Sequence, residues 1–146
     1  MTIPEYVLLG FAVWTLVTLL AGVGVYRWSR ILTGRAEMRD FRADGAGWTD
    51  FYTRATRAHA NCIENLAVYA AIVFAARAAG LDDGTLDVLA CAILGARVLQ
   101  TLVHLATVQT NKVVGVRFAL FFVQLVGMLW MGVHIAGTAI HGPEVF

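Results

Sequence analysis

The stretch YVLLGFAVWTLVTLLAGVGVY, residues 6–26, contains no charged side chain. A helix needs about 20 consecutive apolar residues to cross the hydrocarbon core of a bilayer, so this stretch is long enough to span it. The whole chain of 146 residues is 59% hydrophobic and only 14% charged, and its mean hydropathy of +0.70 lies outside the usual range for soluble domains. The sequence therefore predicts an integral membrane protein whose first span lies here.

Three more apolar stretches follow along the chain. We place the four predicted helices at approximately residues 6–27, 51–79, 86–108 and 113–140. Pro4 and Pro143 both fall outside these helices, as expected of a residue that interrupts helix interiors. The prediction is an all-α, single-domain protein over residues 1–146, folded as an integral membrane four-helix bundle.

Basic residues are concentrated at the first and third connections between the helices. Lysine and arginine near the ends of spans mark the cytoplasmic side, and Arg77 alone lies near the second connection. We therefore expect the first and third connections in the cytoplasm and both termini on the opposite side. The net charge of +1 predicts no nucleic-acid partner. The basic residues that flank these two connections are Arg27, Arg30, Arg35, Arg39, Arg42, Arg54 and Arg57 at the first, and Lys112 and Arg117 at the third.

A first polar ladder begins the second helix and consists of Arg54, Arg57, Asn61 and Glu64. These residues are three or four positions apart, so they share one face of a helix and descend about 15 Å into the membrane. Polar side chains at that depth must face protein, water or a ligand rather than lipid. The face is therefore a candidate binding surface.

A second polar ladder lies on the third helix and consists of Arg97, Gln100 and His104. We expect it to face the first ladder. One alternative is that Glu64 and Arg97 merely neutralise each other, since charges inside a membrane normally pair. Likewise, His104 could bind a ligand or only Arg97.

Alanine recurs every fourth residue in the second helix, at positions 67, 71, 75 and 79. Small side chains at this spacing form a stripe that lets another helix approach closely. The alternative is that the stripe reflects only the abundance of alanine in this chain.

A small, highly charged cytoplasmic molecule would use both ladders. Arginines would bind its carboxylates, Asn61 an amide and Glu64 an ammonium or amide N–H. Glutathione has all of these groups and a thiol whose pKa an adjacent guanidinium would lower. A hydrophobic electrophile would then arrive from the bilayer.

The chain has two cysteines, Cys62 and Cys91, in apolar segments without a C-x-x-C pair. We interpret them as buried thiols and predict no metal cofactor.

The run Arg54-x-x-Arg57-Ala58-His59-x-Asn61-Cys62-x-Glu64-Asn65 resembles the signature of the membrane-associated proteins in eicosanoid and glutathione metabolism, the MAPEG family. Its R-A-H-x-N and E-N elements are most similar to the microsomal glutathione transferase branch. Arg117, followed four residues later by Phe-Phe-Val, also resembles that branch. Phe121 stands where the prostaglandin branch has tyrosine, so we do not expect prostaglandin isomerase chemistry.

The resemblance implies a bacterial-type member of the family that forms a homotrimer in the bacterial inner membrane. Glutathione would bind between neighbouring subunits near the cytoplasmic face. The resemblance also implies glutathione contacts from Arg27, Arg57, Asn61 and Glu64, and a thiolate-stabilising role for Arg117. Lys112 is a rival for that role, because the link from the third helix to Arg117 looks longer than in eukaryotic members. With the remaining ladder residues, the predicted glutathione site comprises Arg27, Arg54, Arg57, Asn61, Glu64, Arg97, Gln100 and His104.

The function implied by the resemblance is conjugation of glutathione to hydrophobic electrophiles, with peroxidase activity toward lipid hydroperoxides from the same nucleophile. A non-catalytic, lipid-presenting member of the family is the main alternative. Two remoter alternatives are a haem-binding cytochrome that uses His59 and His104, and a small multidrug transporter that uses Glu64.

Overall fold

The computed structural model describes residues 1–41, 49–108 and 110–141. Within them lie four helices that are long and apolar enough to cross a membrane. The all-α, multi-pass membrane bundle predicted from the sequence is therefore confirmed. Arg42 and Pro143 lie outside the described residues. The helices are α1 (Ile3–Leu32), α2 (Asp50–Ala78), α3 (Gly84–Ala106) and α4 (Asn111–His141).

Helix α1 begins before Pro4, so the prediction that this proline lies outside the helices is wrong. Proline is tolerated in the first turn because an N–H there has no acceptor within the helix. The carboxylate of Glu5 accepts a hydrogen bond of 2.7 Å from the backbone N–H of Thr2 and so supports the same turn. The helix also continues beyond its predicted end at residue 27, to Leu32.

The path of α1 changes in its second half, where Thr18–Gly24 form a π-helical stretch between two α-helical segments, Ile3–Val17 and Val25–Leu32. Here α1 packs closely on α2: a Cβ atom placed on Gly22 would lie 3.2 Å from the Cβ of Ala55. A side chain at Gly22 would therefore require Ala55 to shift by a few tenths of an ångström. Wider turns of this kind are often found at functional sites.

The core lies between all four helices, and α3 and α4 share the most extensive packing. Cys62 is fully buried as predicted, but Cys91 is exposed because it faces away from the bundle. The buried members of the main apolar cluster are Val7, Phe11, Cys62, Tyr69, Val73, Ala76, Leu86, Ala90, Ile93, Met128, Met131 and Ile135.

The turn between α2 and α3 is closed by Gly80 and Asp83. Gly80 adopts a φ of 69°, which favours glycine, after the last turn of α2. Asp83 then caps α3: its Oδ1 accepts hydrogen bonds from the backbone N–H groups of Thr85 (2.9 Å) and Leu86 (3.0 Å). Its Oδ2 lies 2.7 Å from Nε2 of His134 on α4. One carboxylate thus joins the turn, α3 and α4.

Burial by itself would raise the pKa of Asp83. The hydrogen bonds from His134, Leu86 and Thr85 outweigh that effect, so the pKa of this carboxyl lies below its usual value. A carboxyl whose pKa is lower in the folded state stabilises the fold above its unfolded pKa of about 3.9. That stabilisation is lost as the pH falls through the lower folded pKa.

We expect Asp83→Ala to decrease the free energy of unfolding by about 0.5–2 kcal/mol at neutral pH, because the helix loses its N-cap. Asp83→Asn retains a capping oxygen but loses the charge beside His134, so it should be closer to the wild type. Unfolding of the protein in mixed micelles, followed by circular dichroism, measures both changes. The control is Asp82→Ala, which removes the adjacent, exposed carboxylate. Equal losses in Asp82→Ala and Asp83→Ala would contradict the capping role.

Candidate functional site

Helices α2, α3 and α4 line an open cavity of about 250 Å³. Both polar ladders contribute to it, as does the first part of α4. Its wall combines charged, amide and apolar side chains, so one ligand could make ionic, hydrogen-bonded and apolar contacts there. We call this cavity the main cavity; it is lined by Asn61, Glu64, Asn65, Arg97, Gln100, Val114, Arg117, Phe118 and Phe121.

A second, much smaller cavity of about 10 Å³ adjoins it and is lined by Ala58, Asn61, Arg97, Gln100, Thr101, His104 and Arg117. Its polar wall contains hydrogen-bonding groups that no other described residue satisfies. Nδ1 and Nε2 of His104, and Nε and Nη2 of Arg97, are buried without a hydrogen-bond partner among the described residues. Leaving such a group unsatisfied costs about 1–3 kcal/mol. These groups are therefore available to a ligand or to solvent.

Glu64 and Arg97, for which mutual neutralisation was the alternative to ligand binding, influence each other electrostatically without a direct contact. In the described part of the chain these two residues form no ion pair, and Glu64 is exposed. The guanidinium carbon of Arg97 lies 5.9 Å from the centre of the Phe11 ring, and only 1% of the residue is exposed. Because neither ring nitrogen of His104 has a partner, His104 does not bind Arg97 either.

A chain of three side-chain amides runs behind the main cavity. Nδ2 of Asn65 donates to Oε1 of Gln124 (3.2 Å), and Nε2 of Gln124 donates to Oε1 of Gln100 (3.1 Å). Nε2 of Gln100 then donates to the backbone carbonyl of Arg117 (2.8 Å). The chain connects α2, α3 and α4 at the level of the cavity.

Gln124 was not predicted from the sequence as a site residue. The sequence does contain features that indicate a role for this residue. It is an isolated polar residue in the run FFVQLVG, and it lies seven positions after Arg117, on the same face of α4.

Positive charge dominates the region around His104. Arg54, Arg57 and Arg117 all lie close enough to act on it electrostatically. Arg54 pairs with Asp50, one turn earlier in α2, whereas Arg57 is exposed. Among the described residues that line the main cavity Glu64 is the one acidic side chain, so this end of the bundle suits a ligand with more negative than positive groups.

Arg27 and Lys112 are not among the described residues that line the two cavities. Nε of Arg27 donates to the hydroxyl of Tyr52 (2.6 Å), and its guanidinium carbon lies 5.5 Å from the ring centre of Phe41. Lys112 is exposed in the first turn of α4. Arg117, by contrast, lines both cavities.

The sequence profile of the MAPEG family matches residues 6–137. The chain belongs to the MAPEG family. This family consists of membrane proteins of glutathione and eicosanoid metabolism, most of them glutathione-dependent enzymes. No curated protein and no solved structure matched the chain. The family membership expected from the run at residues 54–65 is thus confirmed, and the haem-cytochrome and multidrug-transporter hypotheses lose their support.

Proposed function

We propose that this MAPEG protein is a membrane-bound glutathione transferase, of the microsomal branch, that conjugates the glutathione thiolate to hydrophobic electrophiles. The single observation that carries the proposal is the position of Arg117. Arg117 lines both cavities, together with Asn61, Arg97 and Gln100. A cation at that place can lie beside a bound thiol.

The residues that line the main cavity, together with Arg57 one turn before Asn61 on α2, match the groups of glutathione. The two carboxylates can pair with Arg57 and Arg97, and the ammonium with Glu64. The amides of Asn61 and Gln100 can bond the peptide groups. Arg54 is already paired with Asp50 and would attract glutathione mainly by its positive charge. Arg27 donates to Tyr52 through Nε and would bind glutathione through its other guanidinium nitrogens.

Arg117 would act electrostatically, because a guanidinium does not release a proton near neutral pH and so cannot be a base. The thiol proton leaves to solvent, and the positive charge stabilises the sulfur anion that remains. The thiolate attacks the electrophile, a sulfur–carbon bond forms, and the leaving group departs with its electron pair. Phe118 and Phe121 supply an apolar wall for the electrophile.

The same thiolate would reduce lipid hydroperoxides. Sulfur attacks the terminal peroxide oxygen, the oxygen–oxygen bond breaks, and the lipid alcohol leaves after protonation. A second glutathione then condenses with the resulting sulfenic acid and yields the disulfide and water.

A homotrimer is part of the proposal. Arg57 and Glu64 are exposed in the single chain although they lie on a membrane-spanning helix, where charges facing lipid are unfavourable. The alanine stripe at positions 67, 71, 75 and 79 is exposed as well. A neighbouring copy of the chain would cover both surfaces and close the main cavity, whose 250 Å³ is below the usual range of about 300–1,000 Å³ for ligand sites.

We further propose that the site opens to the cytoplasmic side of a bacterial inner membrane, because the basic connections lie at that end of the bundle. A cysteine introduced at exposed Arg35 should not react with a membrane-impermeant maleimide in intact cells. It should react once the inner membrane has been permeabilised and the reagent reaches the cytoplasm. Reaction from the outside in intact cells would contradict this orientation.

Two measurements on the purified protein test the proposed function. Calorimetry should show glutathione binding, and addition of chlorodinitrobenzene should then give glutathione-dependent conjugate. Binding of glutathione without any conjugation or peroxidase activity would favour the lipid-presenting alternative. Absence of glutathione binding would contradict both the site and the function.

A further inference from the structure

Gln124 is fully buried in the middle of α4, at 0% exposure. A buried carboxamide in an apolar segment is unfavourable unless its hydrogen bonds are made. This one makes three: Nε2 donates to the backbone carbonyl of Leu120 (2.8 Å) and to Oε1 of Gln100 (3.1 Å), and Oε1 accepts from Nδ2 of Asn65 (3.2 Å). The residue is not a lining residue of either cavity.

The directions of these hydrogen bonds are fixed by two backbone carbonyls. Because the carbonyl of Leu120 can only accept, Gln124 must turn its NH₂ group toward it and its oxygen toward Asn65. Because the carbonyl of Arg117 can only accept, Gln100 must turn its NH₂ group toward it and its oxygen toward Gln124. Rotating any one amide by 180° would oppose donor to donor or acceptor to acceptor. The chain of amides therefore has one orientation.

We propose that Gln124 is a positioning residue of the transferase site. It holds the cavity-lining amides of Asn65 and Gln100 in a single orientation, and through Gln100 it ties the turn of α4 that carries Arg117 to α3. The inference rests on the proposed function, because the geometry that it preserves is the placement of Arg117 beside the glutathione thiol. Gln124 itself does not contact the substrate.

The test compares Gln124→Met, which preserves the approximate volume and removes every hydrogen bond, with Thr138→Val. Thr138 is the matched control, because it lies on the same helix and its hydroxyl donates to the carbonyl of His134 (2.9 Å), within its own helix. In Gln124→Met the pKa of the bound glutathione thiol should rise by about one unit, and kcat at neutral pH should fall about tenfold. KM for the electrophile should change little. Thr138→Val should leave all three quantities unchanged.

Two further variants keep the result interpretable. Gln100→Met combined with Gln124→Met should be no worse than the more affected single variant, because both act through one chain of amides. Gln124→Glu keeps an acceptor for Asn65 but, when ionised, has no N–H to donate to Gln100, so the thiol pKa should rise at least as much as in Gln124→Met. If Gln124→Met does not fold, a wild-type thiol pKa in Gln124→Glu and Gln100→Met overturns the proposal.

The outcomes separate this role from the function on which it rests. Suppose that the wild-type protein lowers the pKa of the bound thiol and that folded Gln124→Met has the same thiol pKa and the same kcat as the wild type. This result overturns the positioning role alone. Equal changes in Gln124→Met and Thr138→Val would also overturn it, since they would reflect general destabilisation. A wild-type protein that binds glutathione without lowering the thiol pKa overturns the proposed function and this role together.

Discussion

Arg117→Ala should decrease the rate of glutathione conjugation about eight- to thirtyfold at pH 7 and leave much of the affinity for glutathione intact. A thiol with a pKa of about 8.5 is only about 3% ionised at that pH. A close guanidinium lowers such a pKa by about one to three units, which raises the thiolate fraction by the factor given. Removing the guanidinium reverses that gain. Conjugation rates at saturating glutathione measure the effect.

The pH dependence identifies the cause of the loss. Arg117→Ala should recover activity as the pH rises toward the pKa of free glutathione, because hydroxide then supplies the thiolate that Arg117 no longer stabilises. Lys112→Ala is the matched control, since it removes an exposed cation from the first turn of the same helix. Full activity in Arg117→Ala, with the loss in Lys112→Ala instead, would assign the role to Lys112.

Arg57→Ala and Glu64→Gln should each weaken glutathione binding by about 1.5–3 kcal/mol, which is about ten- to 150-fold in Kd. Each variant removes a charged hydrogen-bonding group from the first polar ladder. Glu64→Gln keeps the shape of the side chain and loses only the charge that would pair with the glutathione ammonium. Isothermal titration of the purified protein with glutathione gives both values.

Arg77→Ala is the control for these binding measurements. Arg77 is an exposed arginine near the opposite end of α2, where it lies 3.5 Å from the carboxylate of Glu5. Its removal changes the net charge by the same amount as Arg57→Ala without touching the cavity. Unchanged affinity in both Arg57→Ala and Glu64→Gln would mean that the first ladder has a structural role only.

The spans were predictable because hydropathy over about 20 residues reflects a physical requirement of the bilayer. Thr49 caps α2, where its side-chain oxygen accepts a hydrogen bond from the backbone N–H of Tyr52, and threonine is a common residue at this position. The π-helical stretch Thr18–Gly24 was not predictable, because it depends on how closely α1 packs against α2. A helical periodicity fixes which residues share a face and carries no information about such local widening.

The candidate site, like the fold, was predictable from the sequence only in part. Spacing placed Asn61 and Glu64 on one face of α2, and both line the main cavity. It could not show that Arg97 is buried over the Phe11 ring rather than paired with Glu64, because that contact joins positions far apart in the chain. The amide chain through Gln124 depends on three helices at once and likewise required the tertiary structure.

The measurement that tests thiolate formation at this site most directly is an absorbance titration of the glutathione complex. Thiolate absorbs in the ultraviolet and the thiol does not, so the pH midpoint of the difference spectrum gives the pKa of the bound thiol; S-methylglutathione provides the blank. We predict a midpoint at least about one pH unit below that of free glutathione in the wild-type protein, and a midpoint near the free value in Arg117→Ala. A saturated wild-type complex that titrates at the pKa of free glutathione would contradict the proposal that this protein activates the thiol.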